Sequence, residues 1–153
     1  MDSEVQSLMN ELAGIHKKAR AAVEKLGDAG VAWQPTVPET NPATVIVTHM
    51  CGSEVMWVGE YVGGRPSNRN REVEFKQPQK TVKDLLALLD RTDAASREAL
   101  SKHTAASLSK PAITSRPDFK GSLRDCVLHA LLHESEHAGH LELTEQMWRA
   151  RQA

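Results

Sequence analysis

Apolar residues recur at three- and four-residue intervals through four long stretches of this chain. That repeat lines them along one face of an α-helix. The first stretch runs from Ser3 to Leu26, with Val5, Leu8, Leu12, Ile15, Ala19, Ala22 and Leu26 in phase, and Gly27-Asp28 and Gly30 end it. Pro35 and Pro38 force Trp33 to Thr40 into extended or turned backbone. Asn41-Pro42 then supplies an N-cap and a first helical residue for a second helix, which reaches about Val62 before Gly63-Gly64-Arg65-Pro66 breaks it. From Ser67 to Lys80 the pattern is irregular, and Glu72-Val73-Glu74-Phe75 reads as a short extended piece. Thr81 and Asp84 resemble a capping box opening a third helix, whose inward positions are Leu85, Leu88, Leu89, Thr92, Ala95 and Ala99 and which ends near Lys102-His103. A polar loop with Pro111 and Pro117 leads to Gly121, where Ser122 and Asp125 repeat the capping pattern before a fourth helix from about Leu123 to Arg149.

Strand signals are weak, with no hairpin dipeptide between alternating runs. The pattern therefore predicts an all-α fold, most simply an antiparallel four-helix bundle forming one domain over residues 1–153. The connections are longer than the few residues usual in bundles, and the Trp33–Thr40 and Pro111–Gly121 loops are placed to shape a mouth at one end.

Charge narrows the partners. Nineteen basic and 20 acidic residues leave a net charge of −1, without the basic patch a nucleic-acid partner requires. No apolar run approaches a membrane span, and the N-terminus has no signal-peptide pattern. Cys51 and Cys126 sit singly inside apolar helical patterns, which suits buried thiols in a reducing compartment better than a disulfide framework. The expectation is a soluble, cytoplasmic protein.

The chemistry concentrates in the fourth helix. His129, His133, His137 and His140 fall within an arc of roughly 80° at about 100° per residue. Residues four apart on a helix bring their Cβ atoms to about 5–6 Å, close enough for two imidazoles to share a transition ion. The alternative is a pair of solvated helix histidines. A third ligand has to come from another helix. His49 is the best candidate, because an inward imidazole among Val45, Ser53 and Met56 needs partners for both nitrogens. A metal would take one nitrogen and an acceptor outside the ligand set would hold the other. Three neutral histidines suit Zn, Ni or Fe, whereas Ca or Mg would call for oxygen ligands.

Three segments together resemble the DinB/YfiT-like superfamily of metal-dependent enzymes. They are Trp33-Gln34-Pro35; Asn41-Pro42-Ala43-Thr44-Val45-Ile46-Val47-Thr48-His49 with Glu54 and Trp57 downstream; and His133-xxx-His137-Ala138-Gly139-His140. The resemblance implies an up-down-down-up four-helix bundle, usually a homodimer, with a metal on His49, His133 and His137. It also implies thiol-dependent transferases and isomerases, using mycothiol or bacillithiol, among the relatives.

The remaining candidates keep two readings each. His140, one turn beyond His137, is a candidate pocket acid or base. His129 is an outer histidine, a proton shuttle or an ordinary polar residue. Glu60 and Glu136 either orient a ligand histidine or are solvated carboxylates. Cys126 lies two turns before His133, too far along the axis to share its ion, and reads as core. Trp33, Trp57 and Trp148 close the core or an interface, and His16 and His103 read as surface residues.

Two functions fit. One is an enzyme in which a three-histidine metal ion with open positions activates water or a low-molecular-weight thiol for hydrolysis or S-transfer to a small-molecule substrate. The other is a non-catalytic metal-binding module for stress response or stability, closed by a fourth protein ligand such as His129 or His140. A plain helical dimerisation domain is a third, weaker reading.

Overall fold

The computed structural model describes residues 2–153 and is all-helical: α1 (Ser3–Ala32), α2 (Ala43–Glu54) running directly into a π-helical segment (Val55–Val62), α3 (Arg71–Lys76), α4 (Val82–Ser101), α5 (Ala105–Leu108) and α6 (Leu123–Gln152). α1 packs along α6 and α4, and α2 with its π-helical extension lies against α4 and α6. No described helix is long and apolar enough to cross a membrane.

The predicted starts of α4 and α6 hold. The Thr81 hydroxyl accepts from Asp84 N at 3.1 Å. Ser122 and Asp125 form a reciprocal capping box, each side chain serving the other's backbone N–H. Four expectations need correction. Helix α2 begins at Ala43 with Pro42 at the cap position and no side-chain cap, so Asn41 does not fill that role. Gly27 adopts φ 64° and kinks α1, but helix resumes to Ala32, because glycine carries no Cβ to oppose that turn. Glu72 to Phe75 are helical rather than extended, since the Asn70 side chain caps α3 by accepting from Val73 N. The loop after α4 contains the one-turn helix α5, capped reciprocally by Thr104 and Ser107.

Two apolar clusters fill the interior. One joins Leu8, Leu12, Trp57, Val58, Leu100 and Val127; the other joins Val23, Leu26, Met50, Leu85, Leu89 and Leu141. Both cysteines are free and buried, as expected, and burial pushes the Cys126 thiol up to about 11. Trp33 and Trp148 pair at 5.7 Å between ring centroids, and Gly30 lies so close to Trp148 that a Cβ there would meet its Nε1 at 2.8 Å.

Along α6, Val127, Ala130, Glu134, Ala138, Leu141 and Glu145 form a buried three- and four-residue stripe, widened at its ends by Cys126 and Thr144. The histidines lie beside this stripe, so His133 and His137 are half-buried and His129 and His140 exposed. α2 is almost wholly buried, which is why its histidine points inward.

Candidate metal centre

Three imidazoles from two helices meet at one point. Nε2 of His133 lies 3.2 Å from Nε2 of His49 and 3.2 Å from Nε2 of His137. Each of the three residues offers a ligand atom within 4.8 Å of the others. The spacing fits a small ion: metal–nitrogen bonds of about 2.0–2.1 Å in a tetrahedron imply ligand–ligand edges of about 3.3 Å.

Protonation fits as well. Burial holds the His133 imidazole down to about 3, assisted by repulsion from His137, His49 and its other cationic neighbours. Burial, with His49 and His140, likewise holds His137 down to about 4. Both rings are therefore neutral at physiological pH, the form that donates a lone pair to a metal.

Glutamates hold the far nitrogens of His49 and His133. His49 donates Nδ1–H to Glu74 Oε2 at 2.9 Å, which leaves its Nε2 lone pair facing the other two rings. Arg69 clamps the same carboxylate, donating Nε–H to Oε1 at 2.7 Å and Nη2–H to Oε2 at 3.0 Å. Burial alone would raise the Glu74 carboxyl, but the hydrogen bonds and charges of His49 and Arg69 bring it below its ordinary value. On the other side, Nδ1 of His133 lies 3.1 Å from Oε1 of Glu134, which is fully buried.

His140 approaches from outside, its Nδ1 3.4 Å from Nδ1 of His137. A cavity of about 190 Å³ opens beside these two rings, lined also by Asn41, Ile46, Leu143 and Met147. Of the two loops expected at a mouth, the one before α2 lines this cavity through Glu39 and Thr40, and the Pro111–Gly121 loop does not. His129 instead lies over Trp57 at 4.0 Å between ring centroids.

Other candidates separate from the site. The Glu60 carboxylate accepts from Ser67 N at 3.0 Å and ties down the loop after the π-helical segment, while Glu136 is exposed. His103 is half-buried rather than on the surface, with Nε2 3.0 Å from the Val62 carbonyl and Nδ1 3.1 Å from the Ser107 hydroxyl. His16 is not a surface residue either: it is buried, with Nε2 2.6 Å from Glu54 Oε2.

Sequence reasoning missed Glu74, Arg69 and Glu134. Glu74 and Arg69 lie in a segment without helical periodicity, where nothing marks a carboxylate as inward. Glu134 carried a usable signal: it falls on the same three- and four-residue stripe as Val127, Ala130, Ala138 and Leu141.

The DinB superfamily family model matches residues 11–141. A crystal structure of a conserved protein from Enterococcus faecalis is similar in fold at a TM-score of 0.75, with 13% sequence identity and 98% of this chain and 99% of that one covered. No curated protein matches the chain.

Proposed function

The chain belongs to the DinB superfamily, and we propose that it is a metal-dependent enzyme built on an antiparallel, up-down-down-up four-helix bundle of α1, α2, α4 and α6. In this reading His49, His133 and His137 hold one divalent transition ion, zinc or nickel ahead of iron. The carrying observation is the 3.2 Å spacing of three Nε2 atoms around His133, the edge length such an ion requires. Direct hydrogen bonding accounts for it poorly. A neutral His49 that donates Nδ1–H to Glu74 has no proton on Nε2, and one proton on His133 Nε2 serves only one of its two neighbours.

An ion with open positions supplies the acidity that turns water or a thiol into a nucleophile at neutral pH. The chain supplies the rest. Glu74 and Arg69 fix the tautomer and angle of His49. Ile46, Leu143 and Met147 offer an apolar wall for the electrophilic substrate. His140, at the rim of the same cavity, takes up or returns a proton at Nδ1 or Nε2. The reactions that fit are hydrolysis or transfer of a mycothiol- or bacillithiol-type thiol, with the buried free thiols consistent with a reducing cytoplasm. Leu128 and Leu132, exposed on α6, are suited to a homodimer contact.

The non-catalytic alternative needs a fourth protein ligand. His129 is engaged with Trp57, and His140 faces Nδ1 of His137 rather than the three Nε2 atoms, which favours a site with open positions.

Protein purified without a histidine tag is expected to retain a first-row transition ion through dialysis, and the His133→Ala/His137→Ala double variant to lose it. Loaded wild type and His49→Ala are then compared against electrophiles with low-molecular-weight thiols and against hydrolase substrates. Equal inactivity of the two across both panels would sink the enzyme reading. Equal metal content in wild type and the double variant would sink the site.

A further inference from the structure

Between the two apolar clusters, each of the four long helices turns a polar side chain inward: His16 from α1, Glu54 from α2, Ser96 from α4 and Glu134 from α6. All four are buried, and both glutamates are 0% exposed. Such a layer is costly unless every donor and acceptor is matched.

The matching is incomplete. Glu54 Oε2 is 2.6 Å from His16 Nε2, and Glu54 Oε1 accepts from the Ser96 hydroxyl at 2.5 Å. Glu134 Oε1 is 3.1 Å from His133 Nδ1, but Glu134 Oε2, equally buried, has no partner. His16 Nδ1 is likewise unsatisfied, with Asp93 Oδ1 at 3.4 Å. The alanines flanking Glu134 on its stripe, Ala130 and Ala138, keep α6 slim at this level.

From this arrangement we infer that His16, Glu54 and Glu134 form a second divalent-cation site, separate from the three-histidine cluster. Ligand atoms of all three lie within 4.8 Å of one another. A divalent ion balances two carboxylates with His16 neutral, and it gives Glu134 the partner it lacks. One nitrogen with two carboxylates is a harder donor set than three imidazoles and suits Mn²⁺, Fe²⁺ or Zn²⁺. Glu134 belongs to both surroundings, with one oxygen beside His133 and the carboxyl reaching into the layer, so the second ion would also fix His133. The inference stands on residues that the proposed catalytic centre does not use as ligands.

The test is stoichiometry on chelator-stripped, untagged full-length protein. Mn²⁺ and Zn²⁺ are each titrated into the folded chain and supplied during refolding from urea, because the layer is closed to solvent. Two equivalents are expected in wild type, one in His49→Ala and one in His16→Gln. A single equivalent in wild type under every loading condition, lost in His49→Ala, overturns the second site, as do two equivalents persisting in His16→Gln. Should His16→Gln fail to fold, X-ray absorption of wild-type protein decides. Imidazole nitrogens per zinc are expected to fall from about three to about two between the first and second equivalents, and a constant value overturns the inference. One equivalent kept in His49→Ala but lost in His16→Gln would instead sink the three-histidine reading and leave this one standing.

Discussion

The three-histidine cluster and the buried layer beside it touch through Glu134, yet they are built on opposite terms. The first is assembled from three imidazoles, two of them braced by glutamates at their far nitrogens, at the edge of a cavity. The second is assembled from a carboxylate pair and an imidazole inside the core, where mutual attraction has to repay full desolvation. The neutral, half-buried imidazoles of His133 and His137 cost little fold stability and remain available to a ligand. Buried ionisable groups tie the fold to their own pairing.

That contrast sets the largest expected effect. In metal-free protein, His16→Ala strands Glu54 without its imidazole and is expected to lower unfolding free energy by about 3–5 kcal/mol. His49→Ala, which leaves Glu74 with Arg69 as partner, is expected to cost about 1 kcal/mol. Urea denaturation of both variants after chelation measures the pair. Equal losses would dissolve the distinction between a structural and a functional cluster.

A smaller effect isolates the bracing. Glu74→Ala removes the acceptor that fixes the His49 tautomer without touching a proposed ligand. Metal affinity at the three-histidine cluster is expected to fall about 10–100-fold with fold stability little changed. Competition with a chromogenic chelator reads it, and Glu74→Gln, whose amide oxygen can still accept from Nδ1–H, is expected to recover part of the loss. Unchanged affinity in Glu74→Ala would mean that packing alone orients His49.

Much of this architecture was legible in the chain. The long helices follow from apolar periodicity and two correct starts, because Thr81 and Ser122 cap through local hydrogen bonds that sequence spacing dictates. The convergence of His49, His133 and His137 was legible because one regular helix fixes the angle between His133 and His137, and an apolar helix turns His49 inward. What the sequence concealed was set by contacts distant along the chain. Glu74 meets His49 across 25 positions, through a short helix without a hydrophobic repeat. His16 was read as surface although it stands four residues after Leu12 and three before Ala19 on the buried stripe of α1; its partner Glu54, 38 positions away, gave no local sign. The kink at Gly27 escaped for a related reason: glycine marks a break, but whether helix resumes beyond it depends on the packing of Gly30 and Val31.

The smallest effect is the pH dependence of metal-free stability, and here the two regions pull in opposite directions. His133 and His137 have folded values of about 3 and about 4, below the ordinary imidazole value of about 6.5 in the unfolded chain. Between these limits the unfolded chain binds protons that the folded chain refuses, so their contribution makes stability fall as pH drops from about 6.5 towards 4. His16 behaves inversely. Burial by itself would lower it, but Glu54 and Asp93 outweigh burial and raise it, so its stabilisation is complete below about 6.5 and is lost as pH climbs through the raised folded value. Stability measured by denaturant midpoint is therefore expected to peak in between. The His133→Ala/His137→Ala variant should flatten the acid limb, leaving the loss below the ordinary carboxyl range as Glu74 protonates. His16→Gln should weaken the alkaline limb without abolishing it, because burial and Glu54 also hold the Glu134 carboxyl well above its ordinary value, and should leave the acid limb in place. A single variant that flattened both would show one coupled proton pool, joined through Glu134, rather than two regions.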